Sequence, residues 1–463
     1  RYVSIAGFCF ANSGEISSCK SKCSVKGEVV ISGDFVGINS GKIENCSSNG
    51  NLEINGYASD VEVCEIVRCF TFAGALVGTV GMLYLLLNGK EANTGGFCGN
   101  NSGEINFCDS DSDIKASSKI ATFKIKCGGF VGDNSGKINS CISRGSAAGQ
   151  EYVGGFCGSN TGDILSCKSR CYAKASTKIN TNICGGFVGE NRGKIKDSMS
   201  NRNVTGEEYV GGFVGVNKSE ISDCNTCGKA TAKTKIHTAL AGGFVGENSG
   251  KVNSCISTGN VEGQEYVGGF CGDNKGEISK SNSEGNAKAE TVSNTNRCGG
   301  FIGENGGIVK DSNAKGSATG EEYVGGFAGV NKNEISDCNA QGKATAKTKT
   351  HTALAGGFVG ENEKGKIANC TATGGADSRS NSGPAKAGGF VGTNKASIVN
   401  SNASGYVYLS AGTCYKDNGC GGFVGNNDQG GSIEGCYAEA TVETTNKKKG
   451  GGFVGEAEDK SSV

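Results

Sequence analysis

The stretch YVGGFCGDNKGEI, residues 266–278, sets apolar residues side by side and spreads Gly268, Gly269, Gly272 and Gly276 among them. Glycine weakens an isolated strand, because it has no side chain to pack and loses the most backbone freedom on folding. Yet the same design returns along the whole chain. Taking the Phe of each GGF-like triplet as origin gives Phe8, Phe35, Phe97, Phe130, Phe156, Phe187, Phe213, Phe244, Phe270, Phe301, Phe327, Phe358, Phe390, Phe423 and Phe453, with Leu76 as a degenerate sixteenth. Between Phe130 and Phe358 the spacing alternates between 26 and 31 residues, so the unit there is a pair of 57. A second level lies above it: the block that opens GEEYVGGFVGVNKSEISDC at 206 recurs, nearly unchanged, 114 residues later at 320.

Within one unit the order is GGFVGxNxGxIxxC, then a variable polar stretch, then often GxEYV. Each short apolar segment is bounded by Gly, Asn or Ser, residues that favour turns. No stretch sustains a 3.6-residue period, so helix should be scarce. Short strands at a fixed repeat, each too small to bury a face alone, predict an all-β parallel β-solenoid (β-helix) of about 16 coils. The whole of 1–463 reads as one continuous solenoid, with degenerate rungs at 57–93 and regular repeats over 94–455. At about 4.8 Å per rung the rod should be on the order of 75 Å long.

Stacked coils turn each repeat position into a ladder. Four residues past the Phe of each regular repeat stands Asn12, then Asn39, Asn101, Asn134, Asn160, Asn191, Asn217, Asn248, Asn274, Asn305, Asn331, Asn362, Asn394 and Asn427; the final repeat breaks the rule, with Ala457. An amide both donates and accepts, so this row reads as a structural ladder of stacked amides. The phenylalanines read as a core aromatic row. Ile16, Ile43, Ile138, Val252 and Ile335, eight past the Phe, read as a buried aliphatic row.

Eleven past the Phe, Cys19, Cys46, Cys108, Cys141, Cys167, Cys224, Cys255 and Cys338 interchange with Ser198, Ser281 and Ser312, which implies a small inward pocket. Cys9, Cys98, Cys157 and Cys271 alternate with Val next to the Phe, and Cys127, Cys184, Cys298 and Cys420 with Val or Ala before the glycine pair. By a period of two, Phe270 shares a face with Gly268 and Gly272, which leave its ring room to stack. Val267 and Cys271 then occupy the opposite face. That face should be buried apart from the phenylalanine core, under the spacers or against a second chain.

Composition limits function. Basic and acidic residues balance at 46 each, so there is no electrostatic case for nucleic acid or an anionic membrane. The 80 glycines lack the every-third-residue period of collagen. Of the 24 cysteines only Cys224 and Cys227 form a tight pair, and two histidines are too few for a structural zinc set, so no metal is expected. Cysteines outside the rows (Cys23, Cys64, Cys69, Cys171, Cys227 and Cys414) are the disulfide candidates. The uncharged run at 70–87 just reaches the length of a membrane span, but its AGALVG aligns with GGFVG and reads as a degenerate repeat. Arg1 opens almost directly on a repeat and the chain stops as abruptly, which points to processed or trimmed ends, or to ends without conventional caps.

Catalysis needs a unique cluster of acids, bases or ligands, whereas nearly every charge here is copied one or two pairs away. His237 and His351 sit in duplicate segments without a distinctive acidic partner, and Glu151, Glu208, Glu265 and Glu322 read as a solvated outer row. No phosphate loop, catalytic residue or cofactor site is read. Alternating Thr in the KATAKTKTHTA segments is interrupted by Lys, which argues against an ice-binding face. Sequons at Asn45, Asn203, Asn217, Asn369 and Asn402 permit glycosylation.

The unit GGFVGENSGKVNSCISTGNVEG at 242–263 resembles the GLUG repeat, with Phe where that family usually has Leu and with more cysteine. The resemblance covers nearly the whole chain apart from 57–93. It implies a repeat of the kind found in bacterial surface adhesins and in stalks of secreted peptidases. The function expected is therefore structural, extracellular or at the cell surface: an adhesin stalk or fibre subunit, self-associating head-to-tail or laterally into a filament. The alternative is an adhesin whose spacer loops bind a host or matrix glycan or protein. The third is a β-helix enzyme that degrades polysaccharides.

Overall fold

One repeat makes one turn of a parallel coil, and the Phe270 coil shows how. Its chain runs through strands Tyr266–Gly268, Cys271–Asn274, Glu277–Ser279, Asn282–Ser283 and Ala287–Ala289. Stacking such coils builds four sheets, all paired in parallel and in register, with Asn274 between Asn248 and Asn305. The first sheet runs from Ser4–Ala6 to Gly450–Gly451 and the second from Cys9–Asn12 to Val454–Ala457, with fifteen strands each. The third has fourteen, from Glu15–Ser17 to Ser432–Glu434. The fourth, from Lys20–Ser21 to Tyr437–Thr444, counts 23 because many coils give it two short strands. This computed structural model describes residues 4–27, 31–56, 91–118, 124–177, 181–234, 238–290, 296–412, 418–445, 450–458 and 462. Among the described residues there is no helix, hence none long and apolar enough to cross a membrane.

Among the described residues fifteen coils make the stack. Leu76 and the apolar run at 70–87 lie outside the described residues. The described ones place no rung between the Phe35 and Phe97 coils: Val36 N–H donates to Phe97 O at 2.9 Å, and the two rings stack at 4.8 Å. Fourteen such ring steps of 4.6–5.0 Å carry the column from Phe8 to Phe453, about 67 Å along the stack.

The glycine pair marks a corner. Between Gly268 and Cys271 the strand breaks, so a period of two does not run across Phe270. Phe270 and Cys271 consequently point into the same core, while Val267 enters a second one beneath the fourth sheet of its own chain. This corrects the expectation that Val267 and Cys271 share a face covered by spacers or by another chain. The glycines are also there for a different reason from making room for the ring. A Cβ on Gly268 would lie 1.9 Å from the Cys271 carbonyl oxygen, and one on Gly269 would lie 2.2 Å from Gly300 O. At this waist Ser and Thr hydroxyls separate the two cores; Ser143 donates to Gly155 O at 2.8 Å.

Most of the length variation falls at one seam, from the fourth sheet to the first, with smaller insertions in the turns after Val359–Asn362 and Val424–Asn427. Two residues connect Val204–Gly206 to Tyr209–Gly211, whereas seven connect Ala230–Ala232 to Leu240–Gly242. The five extra residues are the difference between the 26- and 31-residue spacings.

Candidate functional site

The repeated geometry itself is the site, and its most continuous element is the asparagine ladder. Each Nδ2 donates to Oδ1 of the next coil at 2.7–3.0 Å, thirteen times from Asn12 to Asn427. In most coils the second N–H closes the local turn, as from Asn274 to Gly276 O at 3.3 Å. Where Ala457 interrupts the row, Asn427 donates instead to Gly431 O and Ser462 O, both at 3.2 Å. Asn217, whose sequon permits glycosylation on sequence grounds, is fully buried in this ladder, with Nδ2 bonded to both Asn248 and Ser219. In the folded chain it has no amide free for a glycan, whereas Asn45, Asn203, Asn369 and Asn402 are exposed.

Beside it runs the aromatic row. From Phe35 to Phe423 the rings are fully buried, and interplanar angles of 0–18° make every step a stack. Parallel rings 4.8 Å apart fall within the offset-stacked range that adds to simple area burial.

The Cys/Ser row is a third ladder. Cys108 N–H donates to Cys141 Sγ at 3.4 Å, and the Cys141 thiol donates to Asn139 O at 3.2 Å. Serine does the same: Cys255 N–H reaches Ser281 Oγ at 3.2 Å, and that hydroxyl donates to Ser279 O at 2.8 Å. A small side chain able to accept and donate satisfies the position, which explains the interchange. One residue earlier stands a feature that the sequence reading missed. Ser18, Asn45, Ser140, Asp197, Asp223, Asp311 and their equivalents, including Phe107 and Lys280, all hold φ between 49° and 57°. This left-handed residue turns the chain from the third sheet into the fourth, and the excess of Asn, Asp and Ser there was its sequence signal.

Burial raises several of the thiols. It pushes Cys127, Cys298 and Cys420 up to about 12, and Cys46 to about 11. Cys171, a disulfide candidate by sequence, is buried in the second core, whereas Cys23 is half-buried and Cys227 exposed. All three are free thiols; Cys64, Cys69 and Cys414 lie outside the described residues.

Charges form a periodic staple between the second-sheet strands. Lys218 pairs with Glu190 at 2.6 Å, Lys275 with Glu247 at 2.7 Å, Lys332 with Glu304 at 2.9 Å, and Lys395 with Glu361. The first three recur every 57 residues, so the pair of coils is an electrostatic unit as well as a sequence unit. Arg297 adds a second partner to Glu304 at 2.9 Å, and its guanidinium lies 4.8 Å over the Tyr266 ring.

The row of glutamates before Tyr is less solvated than the sequence suggests. Glu151 and Glu208 are buried and Glu265 and Glu322 half-buried. His351 does have an acidic neighbour, its Nδ1 lying 3.9 Å from the Glu322 carboxylate; His237 lies outside the described residues. Among the described residues no three His, Cys, Asp or Glu side chains are placed to hold a metal ion. A groove of about 310 Å³ is lined by the turns Ser102–Glu104 and Ser135–Lys137 with Gly162 and Asp163, and is built from the repeat itself.

In the comparison with protein families, the GLUG motif matches residues 351–377 and 418–443. Each match takes in one turn of the coil, from the approach to the first sheet into the fourth. No curated protein and no solved structure matches the chain.

Proposed function

From a chain that carries GLUG repeats wound as a parallel solenoid, we propose a structural role at the cell surface or outside the cell: a stalk or fibre element that sets a distance, with no catalysis of its own. The observation that carries this reading is the unbroken amide ladder of thirteen bonds through fourteen coils. Every internal coil makes the same amide and ring contacts above and below, so stability accumulates as nearest-neighbour terms along one axis. Array length is then the property under selection, in keeping with the near-identical blocks 114 residues apart.

Electron micrographs of the purified chain test it. Single rods about 67 Å long are expected, and deletion of one 57-residue pair should shorten them by two rungs while leaving them folded. Rods in multiples of the single-chain length would add end-to-end association to the role, and isolated rods at high concentration would remove it. Turnover of an acidic polysaccharide, lost on changing one carboxylate, would replace this reading with an enzymatic one. Labelling of intact source cells with an antibody checks the location.

A further inference from the structure

The outer face of the fourth sheet carries a patch unlike the rest of the surface. Elsewhere cations are commonly matched across neighbouring coils, as Lys229 is by Glu262 at 2.6 Å and Lys315 by Glu284 at 2.7 Å. On strand Lys168–Ala175 alternation is strict, and Lys168, Arg170, Tyr172 and Lys174 all point to solvent. Among the described residues no carboxylate pairs with Lys168, Arg170, Lys174 or, on the next coil, Arg202. The Arg202 guanidinium instead lies 5.2 Å over the Tyr172 ring and donates from Nη1 to its hydroxyl at 3.3 Å. Tyr172 stays half open, at 49% exposure.

The patch has edges. On one side Arg144 pairs with Asp109 at 3.0 Å, and Asp109, Asp111 and Asp113 line the coil beyond it. At the far end of the strand Glu207 is engaged by the Ser176 hydroxyl and the Thr177 N–H. From Lys168 to Lys174 spans about 20 Å, and two coils are about 10 Å wide. The resulting area, on the order of 200 Å², is well below the roughly 600 Å² of the smallest nucleic-acid module. It is also below the roughly 800 Å² that each partner contributes to a standard protein interface. A ligand one chain wide, lying along the strand, is what fits.

We propose that this face binds an anionic polysaccharide, its carboxylate or sulfate groups meeting Arg170, Lys174 and Lys168 and one sugar ring resting on Tyr172. Guanidinium and ammonium groups supply charge-assisted hydrogen bonds to such anions. Arg202, already stacked on the tyrosine, holds the ring in place and adds charge beside it. The aspartate strip repels any polyanion that strays across the coils and so fixes the direction of binding.

The test is titration calorimetry of the whole chain with a heparin-derived hexasaccharide, a neutral maltohexaose and a short DNA duplex. The sulfated probe should bind, with an affinity that falls steeply with salt; Arg170→Ala and Lys174→Ala should each lower the salt slope by about one. Tyr172→Ala should weaken binding about tenfold and leave that slope unchanged. The exposed control Lys315→Ala, on the same sheet, should change nothing. All four positions are solvent-facing, and thermal melts establish that the variants are folded. Failure of the sulfated probe to bind overturns the proposal, as does unchanged binding in Arg170→Ala with Lys174→Ala, or equal affinity for the DNA duplex.

Discussion

Asn217 Nδ2 donates to Asn248 Oδ1 at 2.8 Å, and Asn248 Nδ2 donates onward to Asn274 at 2.9 Å, both bonds fully buried. Asn248→Ala therefore strands a donor on one neighbour and an acceptor on the other, at about 1–3 kcal/mol each. A fall of about 2–5 kcal/mol in guanidinium unfolding is expected. Asn248→Asp should also destabilise, since a carboxylate accepts but cannot pass a proton donor up the column. Asn427→Ala, near the end of the row, should cost less.

Gly422 and Gly452 hold the same repeat position with opposite surroundings. A Cβ on Gly422 would meet Gly452 O at 2.1 Å, whereas one on Gly452 would find nothing within 4 Å. Gly422→Ala should cost about 1–3 kcal/mol through overpacking, and Gly452→Ala should be neutral or gain a few tenths through the unfolded chain. Melting temperatures of the two variants, measured side by side, give the comparison.

Asp34 stands where fourteen other coils have glycine, and it is fully buried. Burial raises its carboxyl from 3.8 to about 6, opposed by the Ser112 hydroxyl at 3.2 Å, while Oδ1 has no partner. With the folded value above the unfolded one, the native state holds the proton more tightly. The contribution of Asp34 to stability is then greatest below about pH 4, declines as pH rises to about 6, and levels off above it. Asp34→Gly should remove that slope and stabilise the rod by about 3 kcal/mol at neutral pH. Denaturant midpoints from pH 4 to 8 supply the readout.

The fully buried row thiols Cys127, Cys141, Cys157 and Cys271 should be silent toward alkylation in the native protein, because burial disfavours the reactive thiolate there. Among the described cysteines, Cys227 should label first with a maleimide, as mapped by peptide mass spectrometry, and Cys141 only after denaturation. Cys141→Ser should fold normally, since Ser281 makes the same two bonds at its own position. Cys141→Ala should be destabilised by about 1–3 kcal/mol, for it removes the buried acceptor of Cys108 N–H.

Stacking order was readable from sequence because one residue type at one spacing, Phe270 with Asn274 four later, is sufficient to place a row. Interior layout was not. A period of two assumes a straight strand, and the corner at Gly269 and Phe270 cancels it, so Cys271 turns into the core that Val267 leaves. The left-handed turn residue escaped notice because its side chain varies from Ser254 to Phe107 and Lys280 while its backbone does not. Tyr172 was legible only as one aromatic among twelve tyrosines. Its setting depends on which charges the neighbouring coils bring beside it, and register decides that.

The seam between the fourth and first sheets has a practical corollary. Because connections of two and of seven residues both leave the amide and aromatic columns in register, sequence inserted there should leave the rungs on either side undisturbed. A foreign peptide spliced into 291–295 should therefore be carried as passive cargo, repeated at chosen heights along one edge. That makes the molecule a ruler whose graduations can be rewritten without altering its scale.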